Sequence, residues 1–134
     1  MELVFEDDFL KITVSNDKSL TYFEWKDETE YMKVEQFVPL CEKIMNTVLD
    51  NSTTLLFENC KKLNFPVPPD VQELVATQMI SQFSGKLTKL AHVYSEDLVS
   101  RLSQEQIWAE NKEENNFEEK YFISLEDAQA WILE

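Results

Sequence analysis

The 134-residue chain carries 26 acidic and 12 basic side chains, a formal charge of −14, and a single glycine. Its apolar share of 43% and aromatic share of 12% suit one globular domain with its own core, not a disordered chain. The charge opposes binding to nucleic acid or an anionic membrane surface, and one glycine cannot make a G-x-G-x-x-G or Walker phosphate loop.

Residues 2–6 and 9–15 read as short strands. In the second, Leu10, Ile12 and Val14 alternate with Lys11 and Thr13, the period of a half-buried strand. A polar turn over 16–19 leads to a third β-rich stretch, LTYFEW at 20–25, so the three should form an antiparallel meander. From Tyr31 the spacing becomes helical: Val34, Val38, Cys41, Met45 and Val48 form a stripe, widened by Phe37, Ile44 and Leu49. Pro39 lies inside this pattern and is expected to kink or restart the helix, which closes at Asp50-Asn51-Ser52.

Residues 53–58 (TTLLFE) read as a buried strand. The stretch NCKKLNFPVPP is irregular, since three prolines fall within four residues. A helix is then expected over 70–83, opened by Pro69 or Asp70, with Val71, Leu74, Val75, Met79 and Ile80 inward and Gly85 past its end. A strand over 87–94 follows, then a helix capped by Ser95 with Leu98 and Leu102 inward, and a second helical start at Ser103. After the polar ENKEENNFEE loop, residues 119–123 make a last strand. Ser124 caps a closing helix whose face is Leu125, Ala128, Trp131 and Ile132, with Ile123 packing on Ala128 as a hydrophobic staple. Too short to stand alone, that helix must dock on the core.

The element order predicts an α/β fold: a mixed β-sheet with an antiparallel N-terminal meander, then βαβ units and covering helices, in one domain over 1–134. The N-terminus lacks a basic segment followed by an apolar run, so no signal peptide is expected, and no apolar stretch approaches the ~20 residues of a membrane span. Two cysteines do not make a disulfide framework, which suits a reducing, cytoplasmic setting.

Three stretches carry a family resemblance. Residues 54–75 (TLLFENCKKLNFPVPPDVQELV), 90–110 (LAHVYSEDLVSRLSQEQIWAE) and 121–133 (YFISLEDAQAWIL) are similar to an uncharacterised bacterial branch of STAS-like proteins, related to anti-sigma-factor antagonists and often described as CRAL-TRIO-like. The resemblance implies a mixed sheet covered by helices and no known reaction. In the antagonists a phosphorylatable serine or threonine opens the helix after the central strand. Here that helix opens PVPPDVQ, residues 66–72, with no hydroxyl, so the phosphoswitch is not expected.

Chemistry is sparse in the sequence. His92 is the only histidine, and a catalytic role would require a nucleophile or carboxylate converging on it. Otherwise it is a hydrogen-bonded or half-exposed strand residue. Cys60-Lys61-Lys62 follows a strand, where two lysines could lower a thiol pKa, though structural packing is the simpler role. Glu113, Glu114, Glu118 and Glu119 lack the alternation and glycine turn of a calcium loop and read as a solvated run. No catalytic, cofactor-binding or metal-ligating set is visible, and no cofactor is expected. The expected function is therefore a non-enzymatic binding or regulatory module, making protein contacts through Cys60, Lys61, Lys62, Asn64, Val67, Pro68, Asp70 and Val71. Its partner is an unidentified protein, and self-association stays open. The alternative is a carrier of a small apolar or lipid-like ligand. An apolar surface patch near Val67, Pro68 and Val71 would favour the first; a convergent pocket would favour the second.

Overall fold

Among the described residues of the computed structural model, 1–110 and 112–134, six strands lie side by side in chain order. They are β1 (Glu2–Glu6), β2 (Leu10–Val14), β3 (Leu20–Trp25), β4 (Leu55–Asn59), β5 (Lys89–Val93) and β6 (Glu118–Phe122). β1, β2 and β3 pair antiparallel through short turns, and β3 to β6 are parallel. Parallel neighbours need long return connections, and helices supply them. These are α1 (Val34–Asn51), α2 (Pro69–Gln78) with a 3-10 turn at Ile80–Phe83, and α3 (Leu98–Ala109); α4 (Leu125–Ile132) follows the last strand. The α/β layout expected from the element order is thus present.

Strand alternation divides the core in two. Leu56 and Leu90 point to one face, where Phe23, Trp25 and the inner sides of α1, α2 and α3 meet them. Phe57, Ala91 and Val93 point to the other, where Ala128 and Ile132 of α4 cover them. The closing helix therefore docks on the core, as its cap and apolar face suggested. The Ser124 hydroxyl accepts a bond from the Asp127 amide at 3.2 Å. Ile123, however, is 76% exposed and makes no staple on Ala128.

Other local expectations change for identifiable reasons. α1 runs unbroken through Pro39. The residue whose carbonyl loses its partner, Glu35, shares the exposed face with Pro39, so water can replace the missing bond. The expected 70–83 helix divides into α2 and a 3-10 turn at Met79. In α3 the cap is Asp97, which accepts from the Ser100 amide at 2.9 Å; Ser95 instead donates its hydroxyl to the Leu63 carbonyl at 2.6 Å. α3 is one helix, with no second start at Ser103. Leu98 and Leu102 are 66% and 49% exposed, while Ser100, Ser103, Gln104, Ile107 and Trp108 face inward. The inward face of α3 is half polar, so an apolar count selects the wrong side. No helix among the described residues is long and apolar enough to cross a membrane.

Candidate functional site

The period-two alternation that buries Leu56 and Leu90 also buries what stands two residues on. Glu58 follows Leu56, and His92 follows Leu90, on the three-helix face of the sheet. The β4–β5 register sets Glu58 directly beside His92, and the β5–β6 register sets His92 beside Tyr121. His92 is fully buried. Its Nδ1 lies 2.8 Å from Glu58 Oε1, and its Nε2 lies 2.9 Å from Oε2 of Glu119, one side-chain step along β6. The imidazole stacks on the Tyr121 ring, centroids 4.1 Å apart and planes at 13°.

From above, α3 completes the shell. Gln104 Nε2 donates to Glu58 Oε1 at 2.7 Å, and Trp108 Nε1 donates to Oε2 at 3.3 Å. The Cys60 thiol also hydrogen-bonds the Glu58 carboxylate. Bonds of this kind make a buried carboxylate tolerable.

Charge follows from counting protons. Each of the two N···O contacts of His92 needs one hydrogen, so the Glu58–His92–Glu119 bridge holds two and carries a net charge of −1, wherever each proton sits. Burial opposes the imidazolium, but the Glu58 charge and the bonds to Glu119 and Glu58 outweigh it and raise the His92 pKa. Burial likewise opposes ionisation of Glu58, and the His92 charge with the His92, Gln104 and Cys60 bonds outweighs it and lowers that pKa.

The two ends of the bridge open on different spaces. Glu58 forms part of the wall of an apolar cavity of about 70 Å³ between sheet and helices, lined mainly by rings and aliphatic chains, among them Trp25, Phe37, Met79, Phe83 and Trp108. Glu119, with its side chain 14% exposed, lines a surface groove of about 310 Å³ beside Tyr94, Tyr121 and Glu105 of α3.

The expected contact segment divides between the cavity wall, the core and solvent. Cys60 and Val67 line the cavity, and Val71 is buried in the same core. Val67 and Val71 are only 4% and 7% exposed, so they form no apolar surface patch. Lys61, Lys62, Asn64 and Asp70 face solvent, and Pro68 is half-buried. Hydroxyls hold this irregular segment down: Ser100 and Ser103 accept the Phe65 and Val67 amides at 2.8 and 3.1 Å, and Thr29 accepts that of Asn64 at 2.9 Å. The neighbouring lysines do not activate Cys60; burial, and then the Glu58 charge, push its thiol pKa well up.

The sequence marks His92 as a candidate and says what it would need, but not which residues supply it. Glu58 carries no local mark, and Glu119 reads as part of a solvated acidic run. The available signal was a charged residue in phase with the buried leucines of a strand, Leu56 with Glu58 and Leu90 with His92. Among the described residues no cluster of histidine, cysteine and carboxylates is arranged to hold a metal ion. Compared with protein-family models, curated proteins and solved structures, the chain matches none.

Proposed function

We propose that this chain is a binding module for a small, largely apolar ligand, held in the cavity between the three-helix layer and the sheet. The observation that carries the reading is the cavity itself: an apolar, ring-lined space with one carboxylate, Glu58, converging on it. Apolar walls with few polar groups are what small-molecule sites share; at about 70 Å³ this one is far below the ~300–1,000 Å³ of drug-sized pockets and admits only a very small ligand. Binding fits better than catalysis, because both ring nitrogens of the buried His92 are taken by Glu58 and Glu119, leaving neither for a substrate, and the two thiols on the wall, Cys41 and Cys60, are kept protonated by burial first and by Glu58 second. The mixed sheet under helices also agrees with what the STAS-like resemblance implies. Two free cysteines suit a reducing, cytoplasmic setting. The protein-contact reading keeps the exposed Lys61, Lys62, Asn64 and Asp70 as support, and is the weaker one because the apolar residues beside them face inward.

Xenon tests the cavity directly, since an apolar cavity of modest size takes up that atom. The expected result is a saturable, protein-dependent 129Xe shift for the natural chain that is lost in Val67→Phe, a variant that fills the space and is first checked for its native circular dichroism. No saturable shift in the natural chain, or an unchanged one in a folded Val67→Phe, overturns the reading.

A further inference from the structure

We infer that the cavity selects a small organic cation, an alkylammonium group, over neutral or anionic molecules of the same size. The inference rests on the ligand-binding reading above and names the chemical class of its ligand.

The first support is the charge count. The Glu58–His92–Glu119 bridge holds one negative charge more than positive, whichever atoms carry its protons. Among the described residues the ion pairs of Glu58 and Glu119 are those with His92, and the cavity wall holds no lysine or arginine. At Glu58, the end that reaches the cavity, the other donors are neutral, Gln104, Trp108 and Cys60, while Glu119 shares its surface groove with Lys112. Of the two oxygens of Glu58, Oε1 accepts two short bonds, while Oε2 has the longer 3.3 Å bond from Trp108. A thiol is a weak donor. An ammonium N–H at the carboxylate is a stronger, charge-assisted one and would take its place.

The second support is independent of the first. The wall is built from aromatic rings, with Trp25 stacked on Phe37 at 5.5 Å and Phe83 on Trp108 at 6.5 Å. Ring faces carry negative potential and attract cations most strongly where water is excluded. Bringing an ammonium out of water is costly, and this site sets against that cost the net negative charge of the bridge and an aromatic-rich wall, where a ring face not used in stacking can take a cation. A carboxylate ligand would meet the same charge and be repelled. Size limits the ligand: a cavity of about 150 Å³ holds benzene, so one of about 70 Å³ takes three or four non-hydrogen atoms.

The test is a series matched at four non-hydrogen atoms, n-propylamine, 1-propanol and acetate at pH 7, where the amine is protonated, titrated against the full chain. The readouts are tryptophan fluorescence, since Trp25 and Trp108 lie in the wall, and the indole N–H resonance of Trp108. Propylammonium is expected to bind about tenfold or more tighter than propanol, and acetate not at all. Glu58→Gln keeps an acceptor and removes the charge, and should erase the preference for the amine over propanol. Glu119→Gln removes the same charge from outside the cavity, so it should weaken amine binding too; a purely local hydrogen bond would not respond to it. Propanol or acetate binding the natural chain as tightly as the amine overturns the inference whether or not the variants fold. If xenon enters and the amine shows no preference, the inference falls and the ligand-binding reading stands; if xenon is excluded as well, both fall.

Discussion

A glutamate on the core side of an interior strand must be neutralised or bonded, and Glu58 accepts from His92, Gln104, Trp108 and Cys60. Removing one partner of such a buried pair leaves the other charge alone, so His92→Ala and Glu58→Ala should each cost about 3–5 kcal/mol in urea unfolding at pH 7. Dependence on pH follows from the directions of the two shifts. The folded His92 pKa lies above 6.5, so its contribution is complete below pH 6.5 and is lost as pH rises through the folded value. The folded Glu58 pKa lies below 4.5, so its contribution is present above pH 4.5 and is lost as pH falls through the folded value. Stability should form a plateau with an acid and an alkaline limb. Between pH 6.5 and about 8.5, before thiols ionise, His92→Gln should flatten the alkaline limb. An unchanged slope in that variant would assign the limb to other groups.

At the scale of elements, two helices show how far local rules reach. In α3 the buried side chains are Ser100, Ser103, Gln104, Ile107 and Trp108, chosen by what lies beneath: loop amides for the serines and the Glu58 carboxylate for Gln104 and Trp108. α4 behaves as its sequence suggests, because its cap and its apolar face are both local. Ile132 is 1% exposed, whereas Trp131 is half-buried, set against Phe122 at 5.8 Å and with the Lys89 ammonium 5.0 Å from its ring. Ile132→Ala should therefore cost about 2–4 kcal/mol and Ser124→Ala about 1 kcal/mol. Trp131→Ala should cost less than the ~3–5 kcal/mol of a wholly buried ring. Denaturant unfolding followed by far-UV circular dichroism measures all three; a neutral Ile132→Ala would detach α4 from the cooperative core.

For the whole molecule, α4 and the end of β6 cover one face of the sheet, so truncation after Glu119 exposes Phe57, Ala91 and Val93. The truncated chain should be unfolded or aggregated. A truncated chain with the full-length unfolding midpoint would show instead that the tail is an accessory. Much of this architecture was legible in the sequence. Strand alternation over 10–14, the helical stripe before Ser52, the proline-rich break and the Ser124 cap are signals within one element, carried by propensity and periodicity. They establish the α/β class and the order of its elements. The site was not legible, because its residues lie far apart in sequence: Glu58 and His92 by 34 positions, His92 and Glu119 by 27, Glu58 and Gln104 by 46. Alternation puts each residue on one side of its own strand, but only the register between parallel strands decides whether Glu58, His92 and Tyr121 stand side by side. The cavity is further still from the sequence. It is the volume left over when three helices settle on a sheet, and no residue encodes it alone.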